Sequence, residues 1–425
     1  MKLMKSVCLS LLLLTGTSIG ESAETYRKDI NPATQYYQAF ILAPDLPQAD
    51  RDYLFNNEWR GRKLPPRFGE LVGRYDNQFK LVRRAAQATV PCDWGIDMSP
   101  GPMTLLPQLA RNKAIAQTAR LRAMWALQQG RPADARDDLL AAFALARNCS
   151  RDGTLIAALV QIAMESILCS AVAENFYQLS PEILQDLVDG FAAAPARGTI
   201  AACISTERVF FPDWMLARIQ ELQQATPGND TKVMAGIREL WTSVQGSEEG
   251  QTNQPASNRW EEVMKASGGT SEGVVKLLRA LEPLYQQLSV IMALPLSEYE
   301  AQIKPFYAEV FQSKNPFVTE MFPALENCRA KEFAALVQLA MVRAAAEYKS
   351  HGEAGWQSVA DPCGQGPFAF ERFVFEGVDR GFQLKSTYAG RRFQEGLIFV
   401  EKDGPPFQVM GKNAGLALPK SAITK

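Results

Sequence analysis

The stretch LLPQLARNKAIAQTARLRAMWALQQGRPADARDDLLAAFALA, residues 105–146, decides the fold. Apolar residues recur there every three or four positions, the period of an α-helix with one buried face. Gly130 and Pro132 interrupt the pattern, since glycine suits the end of a helix and proline the first turn of the next. We therefore expect helices over residues 105–129 and 133–146. Because the connection is short, they should lie antiparallel as a hairpin.

A second helical hairpin is expected directly after the first. Residues 154–179 are apolar around most of the helix, but Gln161 and Glu165 interrupt them, which favours a covered central helix over a membrane span. Ser180 and Pro181 mark the start of the return helix, because serine caps a helix and proline suits its first turn.

The two hairpins share a short internal repeat. The segment DLLAAFALA, residues 138–146, aligns with DLVDGFAAA, residues 186–194, at an offset of 48 with five of nine positions identical. That period suits stacked helix pairs. Coincidence between two alanine-rich segments explains it equally well, so a solenoid and a bundle both stay open.

The rest of the chain predicts more helices and then a change to strands. Helical patterns cover residues 33–42, 66–88, 200–225 with a kink at Pro212, 232–244, 274–293, 297–311 and 324–349. Aromatic and β-branched runs separated by glycines predict antiparallel strands at residues 368–375, 382–388 and 397–400. The expected fold class is mainly α, with antiparallel helical hairpins and a small C-terminal antiparallel β module.

These patterns also suggest how the chain is divided into domains. We expect a signal peptide at 1–20, a helical-hairpin domain at 21–245, a polar flexible linker at 246–258, C-terminal helices at 259–350, a small β module at 351–410 and a tail at 411–425.

The first twenty residues predict export. Lys2 and Lys5 precede a short apolar run, and Ser18 and Gly20 are the small residues that a signal peptidase site requires. The run is too short to span a bilayer, so no membrane span is expected after cleavage. Cleavage would take the formal charge from −1 to −3 by removing two lysines. We expect a periplasmic or extracellular protein that does not bind nucleic acid.

The first hairpin resembles the tetratricopeptide helix pair. Small residues at Ala123 and Ala126, the Gly130 turn, and Ala135 and Ala142 match the positions where paired helices approach closely. The match covers about one hairpin. The resemblance implies stacked hairpins that bind a peptide or protein on a concave face.

The end of the chain resembles the helix-to-sheet module of type II secretion pseudopilins. Residues 343–352 end a helix at a glycine, residues 361–367 read DPCGQGP, and residues 381–388 read GFQLKSTY. The family's N-terminal methylation segment is missing, and the stretch at its calcium-loop position is basic (AGRRFQE, 389–395), so no calcium is expected. The order of parts is also similar to a group of exported bacterial proteins. That order is the Cys92-Asp93-Trp94 connector, the entry GPMTLLP at residues 101–107, the helical middle and the DPCGQGP turn. The resemblance implies a shared fold and supplies no function.

Two carboxylates in apolar helices are the candidate catalytic residues, Glu165 and Glu207. Burial raises the pKa of a glutamate, as a general acid requires, and two such groups could hydrolyse a glycosidic bond. The alternative is a structural role, as a buried ion pair or a helix-to-helix hydrogen bond with Arg208 or Arg120 as partner. The single histidine, His351, is expected to be a helix-terminal residue. No motif for a metal, phosphate or cofactor site is present, and none of these ligands is expected.

Six cysteines follow the expected cleavage site. The pair for which we predict a disulfide is Cys92 and Cys149, because the return helix of the first hairpin brings residue 149 back near the segment that holds residue 92. Cys328 and Cys363 are less suitable, since they flank a long helix. Cys169 and Cys203 lie in apolar helical runs and are expected to be core thiols.

Three functions remain open from the sequence. The first is a non-catalytic envelope protein that binds a peptide or protein. The second is a hydrolase of an envelope polymer that uses Glu165 and Glu207. The third is an accessory component of a secretion or pilus assembly, which the C-terminal resemblance alone suggests.

Overall fold

The computed structural model describes residues 27–56, 59–245, 256–322, 325–375, 377–388 and 395–402. The expected signal peptide, linker residues 246–255 and the expected tail at 411–425 lie outside these ranges. The fold class predicted from the sequence is confirmed: the described chain is mainly helical, with a three-stranded antiparallel sheet near its C-terminal end.

The helices and strands carry labels in chain order. The first helices are α1 Pro32–Ile41, α2 Gln48–Phe55, α3 Pro66–Gly73, α4 Asp76–Ala86, α5 Gln108–Gln128, α6 Pro132–Cys149, α7 Leu155–Glu174 and α8 Pro181–Ala193. The next are α9 Ile200–Arg208, α10 Trp214–Ala225, α11 Asp230–Gln245, α12 Ala256–Ser267, α13 Ser271–Arg279 and α14 Glu282–Ala293. The last are α15 Leu296–Gln312, α16 Pro316–Met321, α17 Glu326–His351 and α18 Glu353–Gln357, followed by β1 Ala369–Phe375, β2 Val378–Lys385 and β3 Gly396–Val400.

The first hairpin is α5 and α6, as the glycine–proline signal predicts. Gly130 has a φ of 68°. The Arg131 N–H donates to the Ala126 carbonyl at 2.9 Å, and the Gly130 N–H donates to the Leu127 carbonyl at 2.9 Å. This is the hydrogen-bond pattern of a Schellman motif, which closes a helix through a left-handed residue.

The second hairpin, α7 and α8, packs beside the first. Thr154 caps α7 by accepting the Ala157 N–H at 3.3 Å, and Ser180 caps α8 by accepting the Ile183 N–H at 3.4 Å. Phe143 of α6 and Phe191 of α8 occupy equivalent positions in the internal repeat. Their rings stack with centroids 4.1 Å apart. The repeated residue therefore forms a contact between the two return helices.

Two of the predicted long helices are divided. The segment predicted over 66–88 forms α3 and α4, and the segment predicted over 274–293 forms α13 and α14. Pro283 lies in the first turn of α14. Proline lacks the N–H that would continue the preceding helix, so a new helix starts there. Pro212, at which the sequence predicts a kink, lies in a π-helical segment, Val209–Asp213, between α9 and α10.

The buried apolar residues form two large clusters. One joins α1–α8, the second half of α17 and the sheet, and the other joins α9–α16 with the start of α17. Helices α7 and α17 contribute to both. The domain boundaries drawn from the sequence stay predictions, since a core that draws on both ends of the chain is compatible with more than one division.

Helix α7 is the central helix that the sequence predicts. Among the described residues it is the one helix long and apolar enough to cross a bilayer, and 56% of its most apolar stretch is buried in the protein. It contacts α5, α6, α9, α17 and β3. A core helix covered on most sides accounts for this composition.

The sheet has the order β1-β2-β3 and packs one face against the helical body. Phe382 and Phe399 of that face are fully buried and contact Phe176, which follows α7, with ring centroids 5.5 and 5.4 Å apart. Gly381 lies opposite β3, where a Cβ atom would come within 2.0 Å of the Phe399 carbonyl oxygen. A side chain at that position would push the strands apart.

Candidate functional site

A groove of about 670 Å³ lies between α8, α17 and the segment that follows α18. Its floor and walls are largely apolar and include Val188, Phe191, Leu339, Val342 and Val359. Phe191, Val342 and Val359 are buried in the core, so the floor is fixed by packing. The volume falls within the range of about 300–1,000 Å³ that is usual for ligand sites.

Charged and polar groups form the rim of this groove. Asp189 of α8 accepts a hydrogen bond from Gln185 at 2.9 Å, and Glu347 of α17 contacts His351 at 3.0 Å. Arg343 of α17 is exposed and forms no ion pair in the described part of the chain. Its guanidinium group is therefore available to bind a carboxylate of a ligand.

Arg147 connects the groove to a buried charge cluster below it. Its side chain is 12% exposed, lines the groove and lies 2.9 Å from an oxygen of Glu165 on α7. The other Glu165 oxygen accepts a hydrogen bond from Arg197 at 2.8 Å. The Nε–H of Arg147 does not point at its oxygen, so that contact is an ion pair without an aligned hydrogen bond. Burial raises the pKa of Glu165, and the two guanidinium groups offset part of that shift.

Glu332 of α17 is a further carboxylate of this buried charge cluster. It forms an ion pair with Arg329, and both of its oxygens lie 3.4 Å from the N–H of Ile200, the first residue of α9. A carboxylate suits that place because the N-terminus of a helix carries free N–H groups and partial positive charge. Arg197 keeps its Nε and Nη1 atoms buried without an acceptor in the described chain.

Glu207 has a different environment from Glu165. It is half-buried and accepts a hydrogen bond at 2.9 Å from the N–H of Leu155, the first residue of α7. Glu165 lies ten positions further along that helix, which corresponds to about 15 Å of helix length. Carboxylate pairs that hydrolyse glycosidic bonds are about 5–9.5 Å apart. The structure therefore does not bring the two candidate residues together.

The arginine partners suggested from the sequence are wrong. Arg120 pairs with Glu174 at 2.9 Å, and Arg208 pairs with Glu282 at 3.1 Å. Sequence reasoning identified Glu165 as a buried carboxylate but missed Arg147 and Arg197. Burial of a glutamate implies a cation nearby, yet nothing in the sequence says which of the 45 basic residues supplies it.

Replacing Glu207 by glutamine is expected to change the pH dependence of stability. Burial raises the pKa of Glu207 above its ordinary value of 4.5, and the Leu155 N–H offsets only part of this. The folded state then binds the proton more tightly than the unfolded state, so this group makes stability fall as pH rises above 4.5. Glutamine keeps the oxygen acceptor and cannot titrate. The variant should therefore gain stability relative to the wild type as the pH rises above 4.5.

Urea unfolding at several pH values measures this difference. Glu261→Gln removes a carboxylate from the exposed face of α12 and should follow the wild-type profile. A Glu207→Gln profile that stays parallel to the wild type across the same range would contradict the assigned environment.

The six described cysteines are all free thiols in the structure. Burial raises the pKa of Cys92 and of Cys149 to about 12, and the charge of a Cys92 thiolate would raise that of Cys149 further, so the two are neighbours. The predicted disulfide between them is not formed here and stays a prediction. Cys169 and Cys203 are buried, as expected for core thiols.

The DPCGQGP turn has a structural role in joining helix and sheet. Asp361 is buried, and its carboxylate accepts hydrogen bonds from the Ser386 hydroxyl at 2.7 Å and from the Thr387 N–H at 2.8 Å. Gly364 packs against this carboxylate so closely that a Cβ atom would lie 2.3 Å from it. Much of the AGRRFQE stretch lies outside the described residues.

Within the described ranges, no group of three or more His, Cys, Asp or Glu residues could hold a metal ion. Comparisons with protein families, with curated proteins and with solved structures give no match. The inferences that follow therefore rest on the geometry of this chain alone.

Proposed function

We propose that the protein is an exported envelope protein that binds an extended segment of a partner protein in the α8–α17 groove, without catalysis. The observation that carries this proposal is the groove itself, with its fixed apolar floor and charged rim. The export signal pattern in residues 1–20 supports the proposed location in the cell envelope. The separation of Glu165 from Glu207 gives no support to the polymer-hydrolase alternative.

The chemistry of the groove indicates which segment it would accept. Its floor offers apolar surface to the side chains on one face of an extended peptide, which point the same way at alternate positions. Asp189 and Glu347 already have partners, whereas Arg343 is unpaired in the described chain. The occupant that fits is therefore a peptide with apolar residues at alternate positions and a carboxylate that reaches Arg343.

A steric block tests this proposal. Ala192 is exposed on α8 and lines the groove, whereas its neighbour Ala193 is equally exposed and does not line it. We expect peptides selected from a random display library on the wild-type protein to bind Ala192→Trp at least about tenfold more weakly, because an indole fills the groove. Ala193→Trp should bind as the wild type does. Fluorescence anisotropy with the synthetic peptides measures both.

Two outcomes would overturn the proposal. One is a selection that enriches no peptide, and the other is equal binding by the two tryptophan variants. Arg343→Gln adds a test of the chemistry: it should weaken acidic peptides and leave their amide analogues (Asp to Asn, Glu to Gln) unchanged. Equal weakening of both would remove the role assigned to Arg343.

A further inference from the structure

A second cavity, of about 280 Å³, lies on a different part of the molecule from the groove. Its walls are the turn that follows α2, the C-terminal end of α5 and the segment that follows α7. The turn has the sequence WRGRKL, residues 59–64, so three basic side chains occur within four positions. We define this cavity, lined by Arg60, Arg62, Lys63, Gln128 and Glu174, as the basic pocket.

The basic pocket has an excess of positive charge. Arg60, Arg62 and Lys63 face one carboxylate among the described lining residues, Glu174. That carboxylate is already occupied, since Arg120 lies 2.9 Å from one of its oxygens and Arg60 lies 3.8 Å from the other. Arg62 and Lys63 are exposed and form no ion pair within the described residues. Among the described residues, two cations thus lie at one cavity without a counter-charge.

The turn that carries these cations is fixed before any ligand arrives. The Gln128 side chain accepts the Leu64 N–H at 2.7 Å and donates to the Leu64 carbonyl at 3.0 Å. Trp59 donates its indole N–H to the Leu54 carbonyl at 3.1 Å and packs against Phe68 with ring centroids 5.1 Å apart. Gly61 allows the turn itself through a φ of 64°. Preorganisation of this kind lowers the cost of binding.

We propose that the basic pocket binds a dianionic oxyanion of the phosphate class, either as free phosphate or as the phosphate group of a larger molecule. Two unpaired cations match two negative charges, and guanidinium groups match the oxygens of phosphate geometrically. The amide of Gln178 lies in the same lining and can donate to a remaining oxygen, whereas the amides of Gln128 and Asn175 already donate to the carbonyls of Leu64 and Ala171. A cavity below the usual ligand-site range favours a small anion or one end of a larger molecule.

The test compares two double variants that each remove two positive charges. In Arg62→Ala/Lys63→Ala the two exposed cations of the pocket are lost and Arg60 remains. In Arg111→Ala/Lys113→Ala two exposed cations near the start of α5 are lost, about 25 Å along that helix from Gln128. That exceeds the Debye length of about 10 Å at 0.1 M salt, so the control changes net charge without changing the field in the pocket.

Isothermal titration calorimetry with inorganic phosphate, on the full chain, gives the first result. We expect the wild type and the control to bind, and Arg62→Ala/Lys63→Ala to bind at least about tenfold more weakly. Raising the salt concentration should weaken wild-type binding. Thermal unfolding should be unchanged in both variants, because the mutated side chains are exposed.

Vesicles distinguish the two sources of phosphate. Sedimentation of the wild type with phosphatidic acid vesicles, whose headgroup is a phosphomonoester, but not with phosphatidylcholine vesicles, would assign the pocket to a lipid headgroup if Arg62→Ala/Lys63→Ala does not sediment. Phosphate binding without sedimentation would assign it to a soluble phosphate. No heat with phosphate and no vesicle binding would overturn the proposal, as would equal losses in the two double variants. None of these results depends on the groove.

Discussion

Glu165→Gln is expected to destabilise the protein by about 3–5 kcal/mol, the range found when one partner of a buried ion pair is removed. Glu165 is fully buried on α7, and its two oxygens face Arg147 and Arg197 at 2.9 and 2.8 Å. Both guanidinium groups are nearly covered, with side chains 12% and 9% exposed. The variant leaves two buried positive charges without the carboxylate that neutralises them. This unpaired buried charge lowers the free energy of unfolding.

A double-mutant cycle with Arg197→Met separates this mechanism from a simple loss of packing. If the unpaired charge causes the destabilisation, Glu165→Gln/Arg197→Met should be about 1–3 kcal/mol more stable than the sum of the single variants predicts. Urea unfolding measures all four proteins. Glu182→Gln, at an exposed position of α8, should cost far less than Glu165→Gln. A Glu165→Gln cost as small as that of Glu182→Gln would show that the cluster does not stabilise the fold.

This result also bears on function. A variant that loses several kcal/mol can lose binding or activity simply because less of it is folded. Loss of function in Glu165→Gln would therefore not identify a catalytic residue. The groove variants at Ala192 and Arg343 avoid this difficulty, because both positions are exposed and contribute little to the core.

The hairpins could be predicted because their signals are local. Gly130 and Ser180 each act on the backbone within a few residues, and each has the expected effect in the structure. The division between α13 and α14 was missed although Pro283 marks it. The apolar pattern runs without a break across residues 274–293, so the proline is the one local sign of the division.

The tertiary arrangement could not be predicted in the same way. Helix α17 carries residues of both apolar clusters, and its position beside α7 and α8 creates the groove. Those contacts join residues far apart in sequence, and a helical period shows only that a face is buried, not which helix covers it. For the same reason the burial of Glu165 was predicted and its arginine partners were not.

Phe382→Ala is expected to cost about 3–5 kcal/mol, the range for removing a fully buried phenylalanine ring. Its ring is the centre of the contact between sheet and helices, with centroids 4.7 Å from Tyr348 of α17, 4.9 Å from Phe370 of β1 and 5.2 Å from Phe399 of β3. It also contacts Phe176 at 5.5 Å. Alanine would leave a cavity among four aromatic rings that belong to different elements and cannot all move inward together.

The position of the cavity that Phe382→Ala creates predicts which amides lose hydrogen-exchange protection first. The sheet buries its apolar face against the helical body, and the Phe382 ring lies at the centre of that contact. In hydrogen exchange of Phe382→Ala, amides of β1–β3 should therefore lose protection before those of α5 and α6. Urea unfolding measures the total loss in the free energy of unfolding.

Phe382→Leu, which keeps most of the apolar volume, should lower the free energy of unfolding by less than about 1.5 kcal/mol. Phe311→Ala is the matched control, because that ring is 60% exposed on α15. Equal costs for Phe382→Ala and Phe311→Ala would mean that the aromatic contact does not hold the sheet to the body.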